Sequence, residues 1–307
     1  MAKKTVVGLG ELLWDLLPSG SQLGGAPANF AVMASRLGNR GVIASRLGVD
    51  EWGARAHGIL SELPADISFL QTDTAQPTGT VGVKIVENEP HYVIHEPAAW
   101  DYLEWSAEWR QLAAQADAVC FGSLAQRAET SRETIRQFVA ATRPDCVRVF
   151  DVNLREPFFS VDVVAESLAA ATVFKLNELE VPLVLGMLGS DLLPGKNEDD
   201  LRIAAEWLLT QYPLKLVAVT MGAAGSLLVT PEAAHRRQGI HGSVVDTVGA
   251  GDAFTAALAT SYLAGASLAQ MNEAGNRWGA WVASQSGGMP ELSAETLAEI
   301  QRRIAEV

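Results

Sequence analysis

Positive charge is scarce in this sequence. The 23 lysines and arginines stand against 36 aspartates and glutamates, a net charge of −13 over 307 residues. A surface this acidic repels phosphate backbones and anionic headgroups, so neither nucleic acid nor membrane is expected as a partner. Any anionic substrate must be captured by a local site. Cysteine is nearly missing: Cys120 and Cys146 stand in neither metal-binding nor redox spacing, and a reducing, cytoplasmic setting is the expectation. Long apolar runs are missing too, and none approaches the length of a membrane span. The opening MAKKTVVGLGELLWDLLPSG is interrupted by Glu11 and Asp15 and lacks a small-residue cleavage site, so it reads poorly as a signal peptide. There is no G-x-x-x-x-G-K-[ST] phosphate loop. Gly8 and Gly10 are not followed by the third glycine of a dinucleotide fingerprint, which disfavours a dinucleotide-dependent oxidoreductase. No internal repeat, low-complexity tract or interdomain linker is apparent.

What is present is apolar. Hydrophobic residues make up 48% and charged ones 19%, enough for a sizeable core in one large α/β unit or two smaller ones. Thr5 to Leu9 reads as a buried strand, with Gly10, Glu11 and Asp15 just past it. Ligand contacts in open α/β sheets gather at the carboxyl ends of strands, which makes Asp15 a site candidate; a surface loop acid is the alternative. Gly24-Gly25-Ala26-Pro27-Ala28-Asn29 opens a helix that Gly38 stops. Asp50 to Leu63 reads as helical. Thr80–Ile85 and Tyr92–Ile94 read as two strands joined by Glu87-Asn88-Glu89-Pro90, a hairpin that is either a lid over a site or an edge decoration. From residue 106 the pattern predicts helix 106–115, strand 117–122, helix 130–141, strand 147–151, helix 162–170, strand 172–175, helix 198–211, strands 215–220 and 225–229, and helices 246–264, 267–286 and 294–306. Strands alternating with helices imply a parallel sheet covered on both faces.

Polar clusters sit at the ends of consecutive strands: Asp151–Arg155, Lys175–Glu180 and Thr220–Gly225. Each alone is ordinary loop chemistry, but at the same end of parallel strands they line one crevice. The last cluster, Asp246–Phe254, reads DTVGAGDAF. Its glycines allow a tight turn that bares N–H groups, and the helix beginning near Ala250 points its positive end at that turn. Asp252 then lies beside an anion site, as a candidate base or as simple helix capping.

Taken together these stretches resemble the PfkB, or ribokinase-like, family of carbohydrate kinases. GGAPANFAVMASRLG (Gly24–Gly38) looks like its first signature and DTVGAGDAFTAAL (Asp246–Leu258) like its second; Asn177 and Glu180 match its N-x-x-E motif, and Thr220, Gly222 and Gly225 its T-x-G-x-x-G motif. The resemblance covers nearly the whole chain. It implies a three-layer αβα sandwich with a mostly parallel central sheet and a small β-sheet lid, as one domain over 1–307 with lid strands from about 12–24 and 77–98. It implies ATP-dependent phosphorylation of a sugar hydroxyl, with Asp252 as base and Gly249, Ala250 and Gly251 as the anion hole. Asp15, Gly24, Gly25 and Asn29 would hold the sugar, and Arg155 would clamp the reacting phosphate. Asn177, Thr220, Gly222, Gly225 and Asn276 would contact the nucleotide, Glu180 would hold Mg2+ through water, and Asp246 with Ser284–Gly288 would mark a K+ site. A homodimer through the lid is expected.

GELLWD, GGAPAN, PTGTVGV (Pro77–Val83), HEPAAWDYL (His95–Leu103) and DVNLR are most similar to bacterial fructokinases. A 2-keto-3-deoxygluconate kinase or another ketose or ribose kinase is the alternative, and a non-catalytic sugar-binding regulator is an alternative of another class. Trp14 beside Asp15 either stacks on the sugar or packs in the core.

Overall fold

The computed structural model describes residues 3–17, 20–86, 89–195 and 197–307. In chain order, β1 (Thr5–Leu9) leads to the antiparallel pair β2 (Leu13–Leu17) and β3 (Gly20–Gly24), and α1 (Ala26–Arg36) to β4 (Arg40–Ala44). Then come β5 (Arg46–Gly48), α2 (Glu51–Ser61), β6 (Gln71–Asp73), β7 (Gly79–Val86), β8 (Glu89–Ile94), α3 (Ala107–Gln115), β9 (Ala118–Phe121), α4 (Glu129–Ala140), β10 (Val147–Asp151), α5 (Val161–Ala170), β11 (Val173–Asn177), α6 (Glu180–Met187) and α7 (Glu198–Gln211). The chain closes with β12 (Leu216–Thr220), β13 (Gly225–Val229), β14 (Ala234–Gln238), α8 (Ala250–Leu263), α9 (Leu268–Ala283) and α10 (Ala294–Ala305).

The main sheet runs β14-β13-β12-β11-β10-β9-β1-β4, parallel from β12 to β4 and antiparallel at β13 and β14. Alternation of side chains along each strand sends them to two faces. On β12, Leu216 and Ala218 pack under α1, α8, α9 and α10, while Val217 and Val219 pack under α3 to α7. Both faces are thereby buried, as a parallel sheet requires. On the α3–α7 side, Phe121, Phe150 and Phe174 stack across three neighbouring strands with centroids 5.4 and 5.5 Å apart. On the other side the alanines of α8 bring α9 close: a Cβ at Gly275 would lie 2.6 Å from the Phe254 ring. This is the three-layer arrangement expected from the motifs.

A second, four-stranded sheet, β3-β2-β7-β8, stands apart from the main one. The expected turn residues Glu87 and Asn88 lie outside the described residues. The structure sharpens several expectations. The helix expected from Asp246 begins at Ala250, because Gly249 takes a left-handed φ of 77° and breaks the backbone there. Asp15 is in β2 of the small sheet, inside the 12–24 span expected to supply strands, and not in a surface loop. Glu180–Met187 is helical, and Ala234–Gln238 adds an edge strand that the pattern did not announce. Trp14 is fully buried and its indole N–H donates to the Trp52 carbonyl at 3.0 Å, so it packs and does not stack on a ligand.

Candidate active site

The parallel strands end on one edge, and the chain turns there into glycine-rich approaches to helix starts. The first is the β3–α1 turn. Gly25 has φ 117°, and a Cβ on it would meet the Glu11 carbonyl at 2.5 Å. The residue must therefore be glycine for the turn to press against the segment leaving β1. One step along, a Cβ on Gly24 would stand 3.1 Å from the Asp15 carboxylate. Asn29, in the first turn of α1, donates from Nδ2 to Asp252 Oδ2 at 2.7 Å. Asn29 is thus the member of this turn that reaches Asp252, while Gly24 lies against Asp15 and Gly25 against Glu11.

The second approach is the Asp246–Gly249 turn into α8. Asp246 accepts from the Val248 and Gly287 N–H groups, both at 3.0 Å, and pins the turn to the 284–288 loop. The packing there leaves no slack: a Cβ on Gly249 would lie 2.5 Å from the Gly288 Cα, and one on Gly288 would lie 2.7 Å from the Asn29 amide. Among the described residues, the N–H groups of Gly249 and Gly251 have no main-chain acceptor, and Ala250 donates only at 3.3 Å to Thr247. Free donors at the positive end of a helix form an anion site.

Burial of Asp252, reinforced by the nearby Asp151 carboxylate, pushes its carboxyl up to about 6; Asn29, Lys175 and Arg155 oppose the shift. Glu11, buried beside the same pocket, is pushed up to about 7, again chiefly by burial and in part by Asp252. Its Oε2 has no hydrogen-bond partner. Burial also raises Asp15, against the pull of Arg155. The Arg155 side chain is exposed at the mouth, with Nη1 on the Leu154 carbonyl, and its charge lowers all three of these carboxyls. A carboxyl near 6 with an anion site at its side is ionised at neutral pH and basic enough to accept a hydroxyl proton.

Behind Asp252 lies a buried ion pair. Lys175 Nζ meets Asp151 Oδ1 at 3.1 Å, and Thr255 Oγ1 donates to Asp151 Oδ2 at 3.0 Å. Burial alone would lower the ammonium of Lys175, but Asp151, Glu180 and Asp252 outweigh it and hold it above its ordinary value.

The third group lies across β11 and β12. Asn177 and Thr220 are partners in register, and Glu178 donates its N–H to the Thr220 carbonyl. Asn177 Oδ1 caps α6 by accepting from Leu179 and Glu180. Both Glu180 oxygens accept main-chain N–H groups, from Leu154 at 2.8 Å and Asn177 at 2.7 Å, so a metal-bound water would use the remaining lone pairs. Gly222 and Gly225 have φ of 51° and 100° and shape the turn between β12 and β13. Asn276 is drawn into a buried network, its Nδ2 donating to Ser226 Oγ at 2.6 Å and to Asn272, which leaves only Oδ1 for a ligand. Among the described residues no cluster of three or more His, Cys, Asp or Glu forms a metal cage. Among the described residues no helix is long and apolar enough to cross a membrane.

Sequence reasoning passed over Glu11, Asp151 and Lys175 as site residues. Glu11 was an acid interrupting an apolar run, and the other two were members of strand-end clusters. The signal in the sequence was a charged residue in a mostly apolar strand for Asp151 and Lys175, and an acid just past one for Glu11.

Known proteins resemble this chain over most of its length. The family model described as pfkB family carbohydrate kinase matches residues 20–295. A fructokinase from Escherichia coli is 32% identical over 272 residues, 82% of this chain and 82% of its own. The crystal structure of a sugar kinase from Pyrococcus horikoshii in complex with ATP superposes with a TM-score of 0.77 at 26% identity, covering 98% of this chain and 99% of that one. That of a fructokinase from Vibrio cholerae, with fructose, ADP and calcium ion bound, does so with a TM-score of 0.78 at 26% identity, covering 97% and 98%.

Proposed function

The chain belongs to the pfkB family of carbohydrate kinases, and from that premise we propose that it transfers the γ-phosphoryl group of ATP to D-fructose, giving fructose 6-phosphate. The observation that carries the reading is the 2.7 Å hydrogen bond from Asn29 to Asp252. It joins the sugar-side turn to the base at the mouth of the anion site. Asp15, Gly24, Gly25 and Asn29 hold the sugar hydroxyls, acceptors and amides suited to diols. The reacting hydroxyl lies against Asp252, which takes its proton as the oxygen attacks phosphorus. The N–H groups of Gly249, Ala250 and Gly251 face the charge on the transferring group, and Arg155 closes on it from the mouth. Asn177, Thr220, Gly222, Gly225 and the free Oδ1 of Asn276 line the nucleotide.

Glycine cradles and free N–H groups suit phosphates, and Mg2+ would come in on ATP with most of its waters. Mg2+ when bound neutralises phosphate charge. Glu180 would reach it only through water. Asp246 and the 284–288 loop would hold K+. Equal turnover in K+ and in a bulky organic cation would sink that assignment. The β3-β2-β7-β8 sheet is read as a lid that excludes water from the sugar and pairs with a second copy. A monomer by light scattering at micromolar concentration would overturn the pairing.

Fructose is favoured because the named fructokinase relatives include those above. A 2-keto-3-deoxygluconate kinase is the second reading, favoured by the exposed Arg155, which is a cation within reach of a substrate carboxylate. A coupled ADP-release screen over fructose, ribose, 2-keto-3-deoxygluconate, tagatose and adenosine tests both. Fructose should give the highest kcat/KM; a preference for any other acceptor replaces the fructose reading, and no turnover with any acceptor favours a sugar-binding regulator.

A further inference from the structure

The buried pair Lys175–Asp151 is not needed by the chemistry as described so far, and its placement is unusual. Register sets Asp151 of β10 opposite Lys175 of β11. Lys175 shares a strand face with Val173, the face covered by α8. Its ammonium ends under the first turn of that helix: a Cβ built on Gly251 would stand 3.2 Å from Lys175 Nζ. A helix N-terminus is already positive, so a cation beneath it is unfavourable unless an anion arrives above. Stability does not explain the pair either. Buried ion pairs of this kind are commonly replaced by apolar residues at no loss. Thr255 on α8 holds Asp151, while the ammonium of Lys175 is the member that lies under Gly251.

We propose that Lys175 is a positioning residue for phosphoryl transfer, its ammonium fixed beneath Gly251 to strengthen the anion hole and hold the Gly249–Asp252 turn in its reactive shape. The inference rests on the reading of that turn as the anion hole beside the base. Fixed charge at a dry site acts on the transition state more than on the ground state, where the charge has not yet moved onto the transferring group. Lys175 therefore shows itself in kcat and not in the sugar KM.

Two variants separate this from a packing role. Lys175→Met strands Asp151 without its partner and should lower both Tm and kcat. The double variant Asp151→Asn, Lys175→Met removes both charges together and leaves an amide that can still accept from Thr255. Its Tm should return close to that of the wild type and its sugar KM should stay within about threefold, while kcat remains down by about tenfold or more. A double variant with kcat within about twofold of the wild type would overturn the proposal and leave the pair as packing. The assay uses whichever sugar the wild type phosphorylates. Failure of the underlying reading shows differently, as a wild type without turnover or as an Asp252→Asn variant that keeps its rate.

Discussion

Replacing Asp252 by Asn removes one charge and changes almost no volume. In the folded protein this carboxyl is pushed from an ordinary 3.8 to about 6, mainly because the surrounding protein strips it of water. A shift of about two units corresponds to at most ~3 kcal/mol, the disadvantage of holding the charged form in the fold. The direction follows from linkage. Because the folded value is the raised one, the unfolded chain releases this proton first, and the charge weighs against folding progressively as pH rises from about 4 to about 6. Above that both states are ionised and the disadvantage is constant. Asp252→Asn should therefore match the wild type in stability near pH 4 and exceed it by up to ~3 kcal/mol at pH 8, roughly 5 °C in Tm for a chain of this size. Turnover moves the opposite way. Without a base kcat should fall by about 10²- to 10⁴-fold, while calorimetry finds sugar and ATP bound with little change. In the wild type kcat/KM should drop about tenfold per unit below pH 6. Glu11, raised to about 7 in the same pocket, makes the measured limb a property of the pair. A variant that keeps its rate would refute the assignment of the base. A Tm difference that does not vary with pH would refute the account of the buried charge.

Other substitutions test neighbouring parts of the site. Gly249→Ala places a methyl 2.5 Å from the Gly288 Cα at a backbone φ of 77°, and should abolish turnover with a stability loss of about 1–3 kcal/mol, read by urea unfolding. Asn29→Ala removes the hydrogen bond that lowers Asp252, so the acid limb of kcat/KM moves to higher pH, and the ratio of wild-type to variant activity is larger at pH 6 than at pH 8. Arg127 binds both oxygens of Asp101 at 2.8 Å and lies 3.9 Å from the Trp100 ring centroid. Arg127→Leu leaves the buried Asp101 charge without its cation, with only the Ala98 N–H still on it, and should cost about 3–5 kcal/mol in chemical denaturation.

Parts of the fold that depend on short-range pattern were legible before any coordinates. The Gly249–Asp252 turn is written in adjacent residues, and the strand-end clusters follow once parallel strands are assumed. What was not legible depends on distant partners. Lys175 and Asp151 are 24 positions apart and become a pair only through the register of β10 on β11. The raised carboxyl of Glu11 comes from what covers it, which no local pattern reports. Helix α6 is short, and Pro182 in its first turn reads as a break although a first turn tolerates it. Strand β14 is His-Arg-Arg rich, as an exposed edge strand can be, and lacks the apolar alternation that marks the inner ones. Trp14 had two readings until the Trp52 carbonyl claimed its N–H.

The bond between Asn29 and Asp252 spans 223 positions of sequence. A ribosome that has released the Gly24–Asn29 turn must still make most of the protein before Asp252, the proposed base, exists, and α1 must wait, beside β1 and β4, for α8 to arrive and complete their shared layer. No proteolytic fragment cut between these helices retains both ends of that bond. The appearance of phosphotransfer in a refolding experiment would therefore time the closing of this long loop, from α1 to α8.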